Sequence, residues 1–150
     1  ILIAIATYNE DGNINLLLDS IFKEKLNSDI LFIDDNSQDL TEKAIKQYQE
    51  KNSSIKLIRR EKKMGVGSAH LRALEFAYLN KYDFLITMDA DFTHNPKYIK
   101  QMLNMNKTYP VVIGSRHIEN DSIQTWPLFR KFLSKLAFFV TKNFLSISFD

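Results

Sequence analysis

The chain has 150 residues, of which 45% are hydrophobic and 25% are charged, and its 20 basic and 18 acidic side chains give a formal net charge of +2. This size and composition predict one soluble globular domain, and the balanced charge argues against a nucleic-acid-binding protein. The absence of cysteine excludes disulfide bonds and thiolate metal sites, and no apolar run is long enough to cross a membrane.

Short apolar runs alternate with helical patterns along the chain. The runs predict strands over residues 1–6, 29–34, 54–59, 83–88 and 110–115. Continuous apolar runs are typical of parallel strands that are buried on both faces. Strands and helices that alternate at this spacing predict an α/β fold, in which a mostly parallel sheet has right-handed crossovers and helices on both faces.

The first helical pattern follows the first strand. It has an apolar stripe with a period of about 3.6 residues, and Asn13 is its predicted N-cap. The stripe consists of Ile14, Leu17, Leu18, Ile21 and Phe22. This helix is therefore expected to pack against the sheet.

Three further helices are predicted along the chain. Asp39 and Glu42 resemble a capping box for a helix over residues 40–51. A third helix is expected over residues 66–80, and a fourth after Pro96. The stripe of the third helix consists of Val66, Ala69, Ala73, Leu74, Ala77 and Tyr78.

Polar residues cluster directly after each predicted strand. In chain order the clusters read TYNED, DDNSQD, REKKMGVGSAH, DADFTH and GSRH. The carboxyl ends of parallel strands meet at one edge of a sheet, where open α/β sheets bind their ligands, so we expect these clusters to lie together. Turn formation explains a single cluster of this kind equally well, but several clusters at one edge favour a ligand-binding site.

Two of these clusters carry aspartates that are adjacent or one residue apart. Asp34 and Asp35 follow the second strand, and Asp89 and Asp91 follow the fourth. Side chains two residues apart on an extended chain point the same way, so the carboxylates of Asp89 and Asp91 can converge on one cation. Their like charges repel each other unless such a partner neutralises them.

The glycines argue against two familiar nucleotide-binding motifs. A dinucleotide fingerprint would follow the first strand, where the chain instead reads TYNEDG, and no P-loop pattern occurs. Gly65 and Gly67 follow the third strand and lack the third glycine of that fingerprint. They are expected to let the backbone approach a ligand before the third helix begins. The remaining interpretation is a nucleotide held by side chains and a metal ion.

Six segments together resemble the family 2 glycosyltransferases of the GT-A fold, and most closely the group of dolichol-phosphate and polyprenol-phosphate mannose synthases. The segments are TYNE, IDDNSQDLT, REKKMGVGSA, MDADFTHNPKYI, GSRH and the later pair Trp126 and Arg130. They occur in the family's order over essentially the whole chain. The resemblance implies a Rossmann-like GT-A domain and an enzyme that transfers a sugar.

The resemblance also implies roles for particular residues. Asp89 and Asp91 would bind Mg²⁺ or Mn²⁺, which bridges the diphosphate of a nucleotide sugar. Arg116 and Arg130 match arginines that hold the phosphates of donor or acceptor, a task for which the guanidinium group is well suited. These four are the expected catalytic residues. The residues expected around the nucleotide are Thr7, Tyr8, Glu10, Asp35, Lys63 and Gly65.

Within this set, Asp35 is expected to contact the base and Lys63 the ribose or diphosphate, whereas Asp34 is expected to shape the turn. His94 is expected either to shape the turn or to support the metal ligands from beside the metal loop, without binding the metal itself. Thr93 stands where many bacterial relatives have a glutamine, so the resemblance assigns no third metal ligand.

The implied reaction moves a sugar, mannose from GDP-mannose, onto a polyprenyl or dolichyl phosphate with inversion. No general base is expected, because a phosphate monoester has a second pKa of about 6 and is largely ionised near neutral pH. One alternative is a family 2 enzyme that uses UDP-glucose or another nucleotide sugar. A more distant alternative is a non-enzymatic receiver-like domain, although its aspartate pair would follow the first strand and not the second.

The chain is expected to comprise a nucleotide-sugar-binding core over residues 1–126 and an amphipathic helix over residues 127–150. The stripe of that helix consists of Phe129, Phe132, Leu133, Leu136, Val140 and Phe144, and its cations are Arg130, Lys131, Lys135 and Lys142. The pattern alone fits a core helix about equally well. The resemblance favours a helix on the cytoplasmic face of an anionic membrane, peripheral or anchored by a missing segment, because the family takes its acceptor from the bilayer. Since the chain begins without Met, directly in a strand pattern, we expect a fragment truncated at both ends.

Overall fold

The computed structural model of the chain describes residues 1–114 and 127–144. The chain divides into two units, Ile1–Lys107 and Thr108–Asp150. The first unit contains the sheet, and the described part of the second contains a long helix.

Four parallel strands form the sheet of the first unit. They are β1 (Leu2–Thr7), β2 (Asp29–Asp34), β3 (Ile55–Arg59) and β4 (Leu85–Asp89). Their order is β3-β2-β1-β4, and the register pairs Thr7 with Asp34 and Ala6 with Asp89. Strands β2 and β3 lie on one side of β1, and β4 lies on the other side. Open parallel sheets bind ligands where the strand order switches sides in this way, which here is between the carboxyl ends of β1 and β4. The predictions of these four strands are confirmed, within two residues at each end.

Helices cover both faces of this sheet, as predicted. They are α1 (Asp11–Lys23), α2 (Thr41–Gln49), α3 (Val66–Leu79) and α4 (Ile99–Met105), with a 3₁₀ turn over Pro96–Tyr98 before α4. The helices α1, α2 and α4 contribute to a core on one face, where Ile5 and Phe32 are fully buried. The helix α3 packs on the other face, against Leu31 and Ile33. The strands are therefore buried from both sides, which explains their continuous apolar sequences.

The apolar stripe of α3 is narrower than its sequence indicates. Ala69, Ala73 and Ala77 are buried against the sheet, and their small side chains let the helix approach it closely. Three residues of the predicted stripe are exposed, namely Val66 (54%), Leu74 (57%) and Tyr78 (83%). The stripe prediction is wrong for these three residues, because the row of alanines turns a different side of the helix toward the sheet.

Two predicted helix caps are also wrong. The N-cap of α1 is Glu10, and Asn13 lies inside the helix, where its amide donates a hydrogen bond of 2.7 Å to the Glu10 carboxylate. At α2, Glu42 pairs with Lys46 and does not complete a capping box with Asp39. A tertiary contact explains both differences. The Thr41 hydroxyl at the start of α2 accepts a hydrogen bond of 2.7 Å from the Glu10 N–H at the start of α1.

The second unit contains helix α5 (Leu128–Phe144), which lies within the segment predicted to be an amphipathic helix. Residues 110–114 form no strand, so this part of the strand predicted over residues 110–115 is wrong, and residue 115 lies outside the described residues. An apolar run becomes a strand only where a neighbouring strand completes its hydrogen-bond ladder. Across residues 1–114 and 127–144, every helix is too short or too polar to cross a bilayer.

A polar cluster lies at the amino ends of the strands, opposite the predicted ligand site. Lys56 Nζ lies 2.8 Å from Asp29 Oδ2, and the Tyr82 hydroxyl donates a hydrogen bond to the same oxygen. Burial raises the pKa of the Asp29 carboxyl, but the hydrogen bonds from Lys56 and Tyr82 outweigh it, and the pKa lies below its ordinary value. This cluster connects β2 to β3 and to the segment that follows α3.

Candidate functional site

A cavity of about 230 Å³ lies at the carboxyl ends of the strands, beside β1 and β4. All eight residues of the first unit for which the sequence predicts a binding or catalytic role line it. These residues are Thr7, Tyr8, Glu10, Asp35, Lys63, Gly65, Asp89 and Asp91. The expectation that polar clusters from different strand ends meet at one edge is therefore confirmed for this unit.

The loops that follow β1 and β2 are joined by hydrogen bonds between side chains and backbone. The Asn9 N–H donates to the Ser37 hydroxyl at 2.9 Å, and the Gln38 N–H donates to the Asn9 side-chain oxygen at 2.9 Å. Asn9 has a φ of 58°, a left-handed conformation that asparagine tolerates better than most residues. These contacts fix the loop that carries Tyr8 and Glu10 to the cavity.

Asp34 and Asp35 are adjacent but have different environments. Asp34 is fully buried, and its carboxylate accepts hydrogen bonds from the Ser37 N–H at 2.9 Å and from the Thr7 hydroxyl at 3.3 Å. These bonds hold the turn after β2 together. Asp35 instead faces the cavity and the loop after β3.

Asp35 holds the loop between β3 and α3 in place. Its two carboxylate oxygens accept hydrogen bonds from the Met64 N–H at 3.1 Å and the Gly65 N–H at 2.8 Å, and it forms an ion pair with Arg60. Gly65 has a φ of +86°, a conformation that favours glycine, whereas an added Cβ would meet no neighbouring atom. Gly65 is therefore required by its backbone conformation and not by lack of space.

Arg60 is the charged residue of the cavity lining that the sequence analysis missed. Its side chain is only 9% exposed, it lines the cavity, and it also donates a hydrogen bond of 3.2 Å to the Gly65 carbonyl. Its position directly after β3 was the available signal, since β2 and β3 are adjacent and Asp35 directly follows β2.

Tyr8 and Lys63 come from different loops and meet at the cavity. The Lys63 ammonium lies 3.6 Å from the centre of the Tyr8 ring, which is within the range of a cation–π interaction. The pair therefore presents an aromatic surface and a positive charge at the same wall.

The loop after β4 arranges the two aspartates predicted to bind metal. Asp91 Oδ1 accepts hydrogen bonds from the Thr93 N–H at 3.0 Å and from the Thr93 hydroxyl at 2.7 Å. Burial raises the pKa of the Asp91 carboxyl, but the hydrogen bonds that this carboxylate accepts from Thr93 outweigh the effect of burial, and the pKa lies below its ordinary value. Asp91 therefore favours its ionised form.

Within residues 1–114 and 127–144, neither Asp89 nor Asp91 forms an ion pair with a lysine or arginine. In the same part of the chain, no three His, Asp or Glu side chains come close enough to hold a metal ion by themselves. The two carboxylates thus differ from Asp35, whose charge Arg60 already neutralises.

Only one of the two predicted catalytic arginines lies in the part of the chain that the structure describes. Arg130 lies in helix α5 of the second unit, and Arg116 lies outside the described residues.

Comparison with protein families and curated proteins gives consistent matches. The model of the family described as glycosyl transferase family 2 matches residues 2–149. An undecaprenyl-phosphate mannosyltransferase of Micrococcus luteus is 32% identical over 134 residues, which cover 89% of this chain and 55% of the relative. A dolichol-phosphate mannosyltransferase of Pyrococcus furiosus is 34% identical over 141 residues, covering 92% of this chain and 39% of the relative. The chain thus spans about half or less of the length of these relatives.

Solved structures, one of them of a mannosyltransferase, share the fold of this chain. The mannosyltransferase PcManGT from Pyrobaculum calidifontis, in complex with GDP-Man and Mn²⁺, is 24% identical with a TM-score of 0.50, covering 60% of this chain and 27% of that one. Residues 1–349 of S. aureus TarS, in complex with UDP, are 21% identical with a TM-score of 0.60, covering 79% of this chain and 39% of that one. The predicted GT-A fold is confirmed.

Proposed function

The chain belongs to glycosyl transferase family 2, and from this we propose that it moves mannose from GDP-mannose onto a polyprenyl or dolichyl phosphate with inversion. The observation that carries the proposal is the cavity, in which residues from four strand ends converge around Asp89 and Asp91. The names of the curated relatives, both mannosyltransferases of a polyprenyl-type phosphate, support the choice of sugar and acceptor.

The cavity offers suitable partners for each part of the donor. Tyr8 provides an aromatic surface for the nucleoside, and Lys63 provides a cation for the ribose or diphosphate. Asp35 Oδ2 accepts one hydrogen bond from the chain, and a carboxylate oxygen can accept a second one from a base N–H. Arg116 and Arg130 are proposed to hold phosphates of the donor or acceptor.

A divalent cation, Mg²⁺ or Mn²⁺, belongs to this proposal, with Asp89 and Asp91 as its protein ligands. The two carboxylates fit such an ion because they line one cavity and Asp91 favours its ionised form. Two carboxylates suffice for Mg²⁺, which usually takes phosphate oxygens and waters as its other ligands. When bound, the cation would stabilise the negative charge that develops on the leaving nucleoside diphosphate.

The proposed acceptor needs no general base from the protein. A lipid monophosphate has a second pKa of about 6, so its oxygen is already ionised and nucleophilic near neutral pH. No side chain has to remove a proton, and Asp89 and Asp91 remain available for the cation.

The test is a transfer assay with the full-length protein, polyprenyl phosphate and either GDP-mannose or UDP-glucose. We expect mannose to enter the lipid fraction when Mg²⁺ or Mn²⁺ is present, and this transfer to stop when the metal is chelated. Transfer from UDP-glucose in place of GDP-mannose would establish the alternative donor. Absence of lipid-linked sugar with both donors would contradict the proposal.

We further propose that residues 127–150 lie on the cytoplasmic face of a membrane, where the acceptor is available. Helix α5 carries four cations and no acid, and the apolar side chains of its predicted stripe are spaced for one face. Each cation near an anionic surface contributes about 1 kcal/mol to membrane binding. A basic amphipathic helix of this kind lies in the interface and does not span the bilayer.

Replacing Phe132 and Phe139 with serine is expected to weaken binding of the full-length protein to anionic vesicles by at least about 100-fold, because each buried aromatic ring contributes roughly 1.5–3 kcal/mol. Vesicle co-sedimentation measures the effect, and wild-type binding should fall as salt rises. Phe138→Ser is the matched control, since Phe138 lies on the opposite side of the helix from the predicted stripe. A double variant that binds vesicles normally, or that loses its thermal stability, would contradict the interfacial assignment.

A further inference from the structure

We propose that His94 is a positioning residue for Asp89, and that its ring fixes the backbone from which the Asp89 carboxylate projects. The inference rests on the proposed function, because it concerns the loop that would hold the cation. It assigns His94 no contact with the cation or the donor.

The evidence is a hydrogen bond from the end of β4 to the imidazole. Asp89 is the last residue of β4, and its N–H donates to His94 Nδ1 at 3.0 Å. The β4 strand stands at one end of the strand order β3-β2-β1-β4. In the part of the chain that the structure describes, the acceptor of this N–H is therefore the imidazole and not a carbonyl of a neighbouring strand.

The same ring lies beside the carboxylate of Asp89. His94 Nδ1 is 3.8 Å from Asp89 Oδ2, so the backbone and the side chain of Asp89 both face the imidazole. Because Nδ1 accepts a hydrogen bond, it is the unprotonated nitrogen and the proton of the neutral ring is on Nε2. Neither nitrogen then offers a free lone pair, which separates this role from that of a metal ligand.

The loop between Asp89 and His94 needs the support of this hydrogen bond. Phe92 has a φ of 62°, a left-handed conformation that is strained for an aromatic residue. Thr93 holds the carboxylate of Asp91 at the far side of this turn. His94 and Thr93 together therefore fix the separation of the two carboxylates, on which binding of a single cation depends.

The test replaces His94 with asparagine, which keeps a hydrogen-bond acceptor at the position of Nδ1, or with glutamine, which does not. The side-chain oxygen of asparagine reaches approximately the position of Nδ1, whereas that of glutamine lies near Nε2. For the full-length protein, calorimetry with GDP and Mn²⁺ should show His94→Asn binding nearly as tightly as wild type. His94→Gln should weaken Mn²⁺-dependent GDP affinity about 10- to 100-fold, the usual cost of losing a residue that orients a metal ligand. GDP affinity without metal should be unchanged in both variants, which shows that the nucleotide pocket remains folded.

Two results would overturn the inference while leaving the proposed function intact. Equal losses in both variants would mean that the imidazole itself is required, and wild-type affinity in both would mean that the hydrogen bond does not matter. A wild-type protein whose GDP affinity does not depend on Mn²⁺ would instead overturn the proposed function, and the inference with it.

Discussion

Replacing Asp91 with asparagine is expected to lower the rate of sugar transfer by roughly 100- to 10,000-fold, because a bound cation contributes several kcal/mol of transition-state stabilisation. Asparagine keeps the side-chain oxygen that accepts the two hydrogen bonds from Thr93, so the loop should keep its shape. The substitution therefore removes the negative charge while changing little else. Initial rates of lipid-linked product formation at saturating donor and acceptor measure the effect.

Asp83→Asn is the matched control for this experiment. Asp83 is an exposed aspartate at the opposite end of β4, and it does not line the cavity. Its variant should retain the wild-type rate, and the melting temperatures of both variants should stay close to that of wild type. If Asp91→Asn transfers sugar at the wild-type rate, Asp91 is not a metal ligand.

Asp35→Ala is expected to destabilise the first unit by about 3–5 kcal/mol, because it leaves the buried Arg60 guanidinium without its partner. It also removes the acceptor for the N–H groups of Met64 and Gly65, so the loop that carries Lys63 loses its anchor. GDP affinity should therefore fall more than Mn²⁺ affinity. Denaturant unfolding measures the first effect, and calorimetric titration measures the second in any variant that remains folded.

A second substitution separates loss of the ion pair from loss of the carboxylate. Asp35→Ala combined with Arg60→Met should be more stable than Asp35→Ala alone, because no charge then remains buried without a partner. Glu75→Ala, which breaks the exposed pair between Arg72 and Glu75, is the control and should change stability little. A cost for Asp35→Ala as small as that of Glu75→Ala would show that the ion pair does not hold the loop.

The sequence predicts the sheet well because the strands are buried on both faces and bounded by polar clusters. It predicts most of the cavity lining because residues that directly follow parallel strands meet at one edge of the sheet. The role of Arg60 could not be predicted in this way. It depends on β2 and β3 being neighbours, and on Asp35 turning toward the loop after β3 and away from solvent.

The errors also have a common physical origin. The cap at Asn13 and the capping box at Asp39 follow local rules, whereas contacts between the loops after β1 and β2 decide where α1 and α2 begin. The stripe on α3 follows hydrophobicity, whereas close approach to the sheet selects small side chains over Leu74 and Tyr78. In each case, packing between distant segments overrides a preference of the local sequence.

The environments of Asp34 and Asp35 also bear on the receiver-like alternative. A receiver domain uses a group of accessible carboxylates to bind metal and accept a phosphoryl group. Here Asp34 is buried in its turn and Asp35 is paired with Arg60. The accessible pair is Asp89 and Asp91, which favours the glycosyltransferase interpretation.

The cluster of Asp29, Lys56 and Tyr82 has a consequence for how such a protein diverges. It joins β2, β3 and the segment after α3 at the amino ends of the strands, and none of its residues lines the cavity. Substitutions in the loops at the opposite edge leave these contacts intact. The amino ends of β2 and β3 and the segment after α3 therefore stay joined while the residues that line the cavity vary, which is one physical reason why a single fold can carry different binding sites.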